Sequence, residues 1–276
     1  LVPGTYTLAN NVEGTGTMAC VYMTADSTGS TLDCANRRIY GRRDTGTNVL
    51  NYGVSVNNAD YVTVKRCLVT YCLDSGIYAI NSDRIVINNN TALYNHIYGI
   101  SAYNVYYSNF TNNVVRYSDS TGMGFSGCYL NNITGNTASY TTTNHGIDLG
   151  MNSVANNVSN NVAQYNGAGG FSVGHNSQQN NITNNQFTLN EYGVYIGNVH
   201  THQNNFTLNN MSQNTVAGLH MQSVDTYNWF YNNRICGNPY DVVCSSCSGD
   251  QTGTGNICTN QSITSCATFF TCNPGC

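Results

Sequence analysis

The sequence is poor in charged residues, in lysine and in proline. Of its 276 residues only 8% are charged, the formal net charge is -4, three residues are Pro, and Lys65 is the one Lys. Such a surface lacks the basic character that nucleic acids and anionic membranes select, so we expect neither as a partner. Helical periodicity and apolar runs of about 20 residues are also missing, which argues against helical repeats and a membrane span. The chain starts at Leu1 without an apolar leader, as expected if a signal peptide has been removed or the N-terminus is incomplete.

Cysteine, in contrast, is abundant. The chain has 12 Cys, and seven of them lie between Cys236 and Cys276. A cytosolic chain rarely holds so many thiols without metal-ligand spacing, whereas exported proteins use them in disulfides. We therefore expect an extracellular or cell-surface protein.

Glycine recurs at a fixed period along the middle of the chain. The spacing is 23 to 25 residues, and the repeated positions are Gly53, Gly76, Gly99, Gly122, Gly146, Gly170, Gly193 and Gly218. After each glycine, apolar residues alternate with others, which is typical of a β-strand with one buried face. A period of this length indicates one coil of a solenoid. We expect residues one and three after each glycine to face the core, and the residues between them to form an outward row: Ser55, Tyr78, Ser101, Asp148, Ser172, Tyr195 and His220.

Two further rows repeat with the glycines. Asn pairs such as Asn112-Asn113 and Asn184-Asn185 follow a short strand in each coil. Asn tolerates left-handed backbone geometry and stacked amides can hydrogen-bond along the axis, so we interpret these pairs as corners. Five tyrosines share the parity of inward residues, which predicts an internal aromatic stack. They are Tyr71, Tyr94, Tyr117, Tyr140 and Tyr165.

These patterns predict an all-β fold, a right-handed parallel β-helix (solenoid) of about ten coils with a disulfide-rich C-terminal cap. At about 4.8 Å per coil the rod would be about 50 Å long. We divide the chain into N-terminal entry coils (1–52), regular coils (53–235) and a Cys-rich cap (236–276). The cap would protect the last coil, which is otherwise an open edge.

The repeat resembles that of the parallel β-helix proteins of the pectate-lyase-like superfamily. The likeness rests on the pattern Gly-Ile-x-Leu at 146–149 and Asn-x-Ile-x-Asn-Asn at 180–185. Segments 3–8, 20–23 and 32–34 resemble the entry coils of secreted archaeal and bacterial members. Within this superfamily the chain is similar to the periplasmic and surface β-helix proteins related to the nitrous-oxide-reductase maturation family. The resemblance implies the fold, but this architecture hosts lyases, hydrolases, epimerases and inert scaffolds.

The catalytic motifs of the enzymes in this superfamily are not found in the sequence. Pectin hydrolases use clustered aspartates in Asn-Thr-Asp and Asp-Asp motifs, and alginate epimerases carry Asp-Pro-His-Asp. Lyases need a basic residue beside calcium-binding carboxylates, whereas Lys65 and Arg66 lie far from any acidic cluster in sequence. The absences leave enzymatic activity open but favour a non-catalytic protein without a cofactor. His200 and His202 share a strand face, but two ligands are too few for copper or zinc, so we expect no metal site.

One row of side chains is a candidate sugar site. Asp60 and Asp83 both lie seven residues after their glycines, and Tyr106 and Tyr129 continue the row. Carboxylates would accept hydrogen bonds from sugar hydroxyls while the tyrosine rings stack on the sugar. The plainer interpretation, which we favour, is a pair of solvated turn residues with Arg84 as counter-charge.

Glycosylation sequons recur with the coils. The acceptors are Asn89, Asn109, Asn132, Asn157, Asn181, Asn205, Asn210 and Asn260. In the middle five, the residue after Asn is apolar, so if it points inward the acceptor points outward. Glycans on every coil would collide, so we expect partial occupancy. The same Asn/Thr grid could instead face ice or a crystalline polysaccharide.

The cysteines suggest two disulfides. Cys20 and Cys34 flank successive strands, and Cys236 and Cys258 could close the cap. Cys67 and Cys72 are about 16 Å apart if extended and should not pair. Cys128 is isolated and Cys276 is terminal, so thiols left over could bridge subunits.

Two functions remain open from the sequence. The leading hypothesis is a non-catalytic extracellular structural protein, a surface-layer, sheath or filament subunit that is N-glycosylated and self-assembles. Its partners would be other copies of the chain or a cell-surface polysaccharide. The alternative is a carbohydrate-binding or polysaccharide-modifying β-helix protein.

Overall fold

The chain is wound from short strands that repeat three to a turn. A computed structural model describes residues 2–14, 18–41, 51–197, 200–222, 227–244, 252–259, 261–263 and 270–276. Within them the strands are β1 (Thr5–Thr7), β2 (Val12–Glu13), β3 (Ala19–Met23), β4 (Thr31–Asp33), β5 (Arg38–Tyr40), β6 (Tyr52–Asn57), β7 (Thr63–Lys65), β8 (Leu68–Thr70), β9 (Ser75–Asp83), β10 (Val86–Asn88), β11 (Thr91–Leu93), β12 (Tyr98–Tyr106), β13 (Asn109–Thr111), β14 (Val114–Arg116), β15 (Thr121–Ser126), β16 (Asn132–Thr134), β17 (Thr137–Ser139), β18 (Ile147–Gly150), β19 (Asn157–Ser159), β20 (Val162–Gln164), β21 (Gly169–Val173), β22 (Asn181–Thr183), β23 (Gln186–Thr188), β24 (Tyr192–Gly197), β25 (Asn205–Thr207), β26 (Ala217–Gln222), β27 (Trp229–Tyr231), β28 (Tyr240–Cys244), β29 (Gly253–Ile257), β30 (Gln261–Ile263) and β31 (Phe270–Asn273). A 3₁₀ turn, Ala25–Ser27, lies between β3 and β4.

The strands form three long parallel sheets that run along the axis. In the described residues the first sheet has 10 strands from β1 to β27, the second has 8 from β2 to β23, and the third has 11 from β3 to β30, beside a β29–β31 pair. Each strand pairs with its equivalent one turn away, as in Val86 with Asn109, so the sequence period sets the register. The predicted all-β parallel solenoid is confirmed, with about nine turns.

The core is a stack of apolar side chains inside the coils. Val54 and Val56, at positions one and three after Gly53, are fully buried, and the pattern recurs along the third sheet. The repeated glycine is required by space. A Cβ on Gly99 would collide with Cγ1 of Val115 on β14, because the chain enters the third sheet close against the second.

The Asn pairs form the predicted corners. Asn112 and Asn184 have φ of 54° and 55°, the left-handed region that Asn tolerates. The second Asn of each pair is buried in a ladder, in which Nδ2 donates to Oδ1 one turn on, at 3.0 Å from Asn113 to Asn136 and 2.9 Å from Asn185 to Asn209. The ladder therefore satisfies polar groups that the narrow interior would otherwise leave unpaired.

The tyrosine row is a stack, but it lies outside the coils. Neighbouring rings are 4.8 to 5.3 Å apart and nearly parallel. Tyr94 is 41% exposed and Tyr165 is 48% exposed, so the expectation of an internal stack is wrong. Each of the five residues has a positive φ, from 57° to 60°, which turns the side chain outward and overrides the strand parity.

The disulfides differ from the expected pairs. Cys34 bonds Cys67, Cys236 bonds Cys276, and Cys258 bonds Cys272. Cys20 does not pair with Cys34, because β3 lies in the third sheet and Cys34 follows β4 in the first. Cys258 does not pair with Cys236. It directly follows β29, and β29 pairs with β31, which carries Cys272. Cys20, Cys72 and Cys128 are free thiols.

The division of the chain at residues 52 and 235 stays a prediction. Strand pairing runs across both boundaries, from β3 to β6 and from β26 to β28. In the described residues no helix is long and apolar enough to cross a bilayer.

Candidate functional site

The outer face of the third sheet carries a pocket of about 200 Å³. We call this pocket and the strand surface around it the aromatic groove. Its lining is Tyr52, Asp74, Tyr78, Tyr98, Ser101, Ala102, Tyr103, Gly124, Phe125, Ser126 and Asp148. It combines tyrosine rings, small hydroxyl residues and two carboxylates.

The floor of the groove is the outward row that the glycine period predicts. Tyr78, Ser101, Gly124, Asp148 and Ser172 pair in register on β9, β12, β15, β18 and β21. Small residues at Ser101, Gly124 and Ser172 leave a depression between larger side chains, and Asp148 is the one carboxylate in this row. The alternation of the strands therefore places an acid in a shallow trough.

A second outward row supplies the wall of the groove. Tyr52, Ser75 and Tyr98 pair in register just before the repeated glycines. Gly53 and Val54 are both buried, so the strict alternation of inward and outward residues is broken at the glycine. Tyr52 therefore faces outward, although strand alternation from inward Val54 would place it in the core. Tyr52 and Tyr78 stack with centroids 4.4 Å apart. A Cβ on Gly124 would lie 2.7 Å from Cε1 of Tyr98, so this glycine lets the Tyr98 ring lie over the floor.

The carboxyl group of Asp148 binds its proton more tightly than an ordinary aspartate does. Burial raises its pKa from 3.8 to about 6, and a hydrogen bond from Ser172 only partly opposes this. Burial also raises the pKa of Tyr98, with the negative charges of Asp148 and Asp74 adding to the effect. The pKa of Tyr78 rises to about 12, mainly through burial, so its hydroxyl keeps its proton at neutral pH.

His145 lies on the same turn as Asp148, three residues earlier. Its Nδ1 is 3.0 Å from the backbone N–H of Gly169 and accepts that hydrogen bond, which leaves the proton of the neutral ring on Nε2. Burial lowers its pKa to about 4. The ring stacks on Tyr195 with centroids 5.8 Å apart. His145 is thus a neutral imidazole at physiological pH, able to donate from Nε2.

The groove ends in a second aromatic cluster. His220 packs 4.8 Å from Tyr192 and 5.3 Å from Tyr195, measured between ring centroids. Its Nδ1 is buried and has no hydrogen-bond partner among the described residues. Burial lowers the pKa of His220, so this ring too is held toward its neutral form.

The row named from the sequence, Asp60, Asp83, Tyr106 and Tyr129, is brought together at another edge of the third sheet. The backbone N–H of Asp83 donates to Oδ1 of Asp60 at 2.8 Å, and Tyr106 pairs with Asp83 and with Tyr129. The pKa of Asp83 is raised by burial and by Asp60, and lowered by Arg84. The carboxylate of Asp60 therefore braces a turn, and the sugar-binding role of this row stays a prediction.

The sequon row lies on the first sheet, away from the groove. Phe110, Ile133, Val158, Ile182 and Phe206 are fully buried, so Asn109, Asn132, Asn157, Asn181 and Asn205 face outward. They hydrogen-bond to one another, as in Asn157 Nδ2 to Asn132 Oδ1 at 3.0 Å. Asn89 and Asn210 lie outside this row, and Asn260 lies outside the described residues.

In the described residues, His202 contacts the backbone of His200. The contact between them runs from His202 Nδ1 to the His200 carbonyl oxygen, 3.1 Å. Among the residues that the structure describes, no group of three or more His, Cys, Asp or Glu could hold a metal ion.

Sequence reasoning found the floor of the groove but not its chemistry. The alternation does not place Tyr52 and Tyr98, because the turn at each glycine reverses the parity by which inward and outward residues are distinguished, and Asp74 lies before its strand. One usable signal was present: Asp148 is the single acidic residue in an outward row of Ser, Gly and Tyr.

The chain belongs to a family described as the right-handed beta helix region, whose model matches residues 52–211, more than half of the chain. No significant match to a curated protein was found. Solved structures are more informative. The A-module of a mannuronan C-5 epimerase from Azotobacter vinelandii is similar at 16% identity and a TM-score of 0.70, over 94% of this chain and 76% of that one.

Two further structures share the architecture. A periplasmic alginate epimerase matches at 16% identity and a TM-score of 0.69, over 89% of this chain, which spans 64% of the length of that epimerase. The catalytic domain of a GH87 α-1,3-glucanase, in complex with nigerose, matches at 13% identity and a TM-score of 0.54, over 92% of this chain and 63% of that one. At these identities the likeness shows the fold alone.

The comparisons correct the leading functional hypothesis. We expected a non-catalytic surface or filament subunit, but the three similar structures given above are two epimerases and a glucanase. The alternative, a carbohydrate-binding or polysaccharide-modifying protein, fits them better.

Proposed function

We propose that the protein binds a polysaccharide along the aromatic groove and modifies it, with Asp148 as the group that gives or takes a proton. The observation that carries this is Asp148 itself, an acid with a pKa of about 6 on the floor of a tyrosine-walled trough. A catalytic acid or base works best when its pKa lies near the operating pH. The epimerases and the glucanase with this architecture are consistent with such a role.

The groove has the shape and chemistry that a sugar chain requires. Rings of Tyr52, Tyr78 and Tyr98 offer apolar faces, and their hydroxyl groups offer both donors and acceptors. The long axis of the sheet lets successive sugars lie on successive strands. Few polar groups, placed among aromatic walls, are typical of a ligand site.

The two carboxylates of the groove are too far apart for a hydrolytic pair. Asp74 precedes β9 and Asp148 lies on β18, three strand spacings or about 14 Å along the axis. Glycosidases place their two carboxyl groups about 5 to 9.5 Å apart. We therefore assign Asp148 a proton transfer in which Tyr98 is its partner, since the Tyr98 hydroxyl keeps a proton to give at neutral pH, whereas the neutral ring of His145 can only hydrogen-bond the sugar through Nε2.

The test is the substitution Asp148→Asn, which keeps the size of the side chain and removes its ability to exchange a proton. We expect it to reduce turnover of a bound polysaccharide at least about 100-fold, the lower range for general acid–base catalysis, while binding changes little. Asp26→Asn is the matched control, because Asp26 is exposed on the turn between β3 and β4. Equal turnover by wild-type protein and Asp148→Asn would refute the assignment.

We also propose that the protein acts outside the cytoplasm. Three disulfides among the described cysteines support this, since such bonds persist in oxidising compartments. The similarity to the nitrous-oxide-reductase maturation relatives stays a prediction. So does N-glycosylation of the sequon row, where neighbouring acceptors one strand spacing apart leave room for a glycan on some coils only.

A further inference from the structure

Among the residues that the structure describes, the charges around the aromatic groove are of one sign. Asp74 and Asp148 line it, and Glu191 follows close by, hydrogen-bonded to Tyr192. In the part of the chain that the structure describes, no Lys or Arg lines the pocket. Arg42 and Arg43 lie outside the described residues.

The described cations have other contacts or lie on other sheets. Lys65 and Arg66 pair with Asp33 on the first sheet, Arg38 stacks on Tyr40 in the second sheet, Arg116 lies on β14 in that sheet, and Arg84 lies between the rings of Tyr61 and Tyr107. Arg37 directly precedes β5 of the second sheet, and Arg234 bridges Asn210, which in turn bridges Gln186 of β23 in that sheet. A chain with one negative charge per sugar would therefore meet carboxylates in the groove.

We infer that the aromatic groove selects an uncharged polysaccharide and rejects polyuronates. The inference rests on the proposed function and names its substrate class. Carboxylates accept hydrogen bonds from the hydroxyl groups of a neutral sugar, and the hydroxyls of Tyr78, Ser101 and Ser126 can donate or accept as the sugar requires. The same carboxylates repel a uronate at contact distance, where the low-dielectric walls screen charge poorly.

The experiment compares a charged polysaccharide with its uncharged ester and with other uncharged chains. Binding is measured for polygalacturonate and for its full methyl ester, which share a backbone, together with uncharged α- and β-glucans and a mannan. All titrations contain a chelator, so that a divalent cation cannot bridge carboxylates. We expect at least one uncharged chain to bind at least about tenfold more tightly than polygalacturonate, a difference of about 1.4 kcal/mol.

The outcomes separate the inference from the function on which it rests. Polygalacturonate binding as tightly as any uncharged chain would overturn the inference and leave the proposed function standing. If no polysaccharide of either kind binds, the proposed function fails, and the inference with it.

A variant tests the same point by adding the missing charge. Ser126→Arg places a cation on the pocket lining, and we expect it to raise polygalacturonate affinity at least about tenfold. Tyr94→Arg is the matched control, because Tyr94 is exposed in the tyrosine stack outside the pocket. An equal gain in both variants would contradict a charge effect specific to the groove.

The salt dependence of polygalacturonate binding gives a second test, which uses the wild-type protein and so does not depend on a variant that folds. Added salt screens repulsion, so residual polygalacturonate binding should strengthen from 50 to 300 mM NaCl, a range that shortens the screening length from about 14 to about 6 Å. Binding that weakens over this range would reveal an attractive contact with a cation and overturn the inference.

Discussion

At the scale of single residues, the surroundings of a side chain decide its chemistry. Asp33 and Asp148 are both outward-facing aspartates, yet their pKa values move in opposite directions. Arg66 binds the Asp33 carboxylate and lowers its pKa to about 2. Asp148 has no cationic partner among the described residues, and its burial among tyrosines raises its pKa to about 6. The Asp33 carboxylate is held in an ion pair, whereas the Asp148 carboxyl group can exchange a proton near neutral pH.

The raised pKa of Asp148 predicts a pH-dependent stability. The folded protein holds this proton more tightly than the unfolded chain, so its stabilising effect is complete below about pH 4 and is lost as the pH rises through 6. A shift from 3.8 to about 6 corresponds to about 2 to 3 kcal/mol in the free energy of unfolding. The carboxylate keeps some contact with solvent, so the lower value is the better expectation.

Denaturant unfolding at pH 4, 5, 6 and 7 checks this prediction with Asp148→Asn as the reference. Asp33 and His145 titrate alike in both proteins, so the difference between the two curves reports Asp148. Wild-type protein should lose about 2 kcal/mol relative to the variant between pH 4 and 7. Parallel curves would show that Asp148 titrates as an ordinary exposed acid.

Residues also mark the limit of what the sequence could predict at the site. The strand alternation placed Asp148 and Tyr78 on the outer face correctly, because side chains in a strand alternate between faces. Tyr98 could not be placed in the same way, since the turn before Gly99 breaks the alternation. Burial of Asp148 depends on rings from other turns, and no local pattern encodes it.

At the scale of the elements, each strand is positioned by the turn before and after it. The Asn ladder shows this most directly. Oδ1 of Asn185 accepts from the backbone N–H and the Nδ2 of Asn161, while its Nδ2 donates to the Val158 carbonyl and to Asn209. One side chain thus links three consecutive turns, its own and the two that flank it.

Removal of one Asn from the ladder should therefore lower the free energy of unfolding by more than the loss of a single hydrogen bond would. Asn185→Ala leaves several buried donors and acceptors unpaired, and we expect it to lower the free energy of unfolding by about 3 to 5 kcal/mol. Asn184→Gly, at the exposed and left-handed neighbouring position, should change it by less than about 1 kcal/mol. Chemical denaturation of the two variants makes the comparison, and similar losses would show that the ladder is not the source of stability.

The repeated glycine predicts a compensating pair of substitutions. Gly99→Ala would drive a methyl group into Val115, an overpacking that costs about 1 to 3 kcal/mol. Adding Val115→Ala removes the methyl groups that obstruct the new side chain. The double variant should therefore lose less free energy of unfolding than the sum of the losses in the two single variants. A double-mutant cycle measures this coupling. Additive losses would mean that the glycine is needed for some other reason, such as the Gly122 carbonyl oxygen, which would lie 3.1 Å from a Cβ at this position.

At the scale of the whole molecule, the sequence period predicted the solenoid, but it did not predict the disulfide pairing at the two ends. Cys34 and Cys67 are 33 residues apart and still lie on adjacent turns, because the turn between them is longer than the 23 to 25 of the regular repeat. Pairing in the cap depends on which strands adjoin, β29 and β31, and the sequence there carries no repeat to show it. A regular pattern therefore predicts the middle of a solenoid better than its termini.

The location of the disulfides predicts how the molecule unfolds. In a solenoid each turn contacts only its neighbours, so damage at one end need not spread. Cys236–Cys276 and Cys258–Cys272 close loops of 40 and 14 residues at the C-terminal end, and each is expected to contribute about 2 to 4 kcal/mol. Reduction should therefore release β28 to β31 while the Asn ladder between β10 and β25 persists. Hydrogen exchange with and without a thiol reductant measures this directly, and Cys236→Ser/Cys276→Ser, which leaves Cys258–Cys272 intact, should reproduce part of the C-terminal loss without reductant. Uniform loss of protection along residues 53–235 would show that the rod unfolds as one cooperative unit instead of from its end.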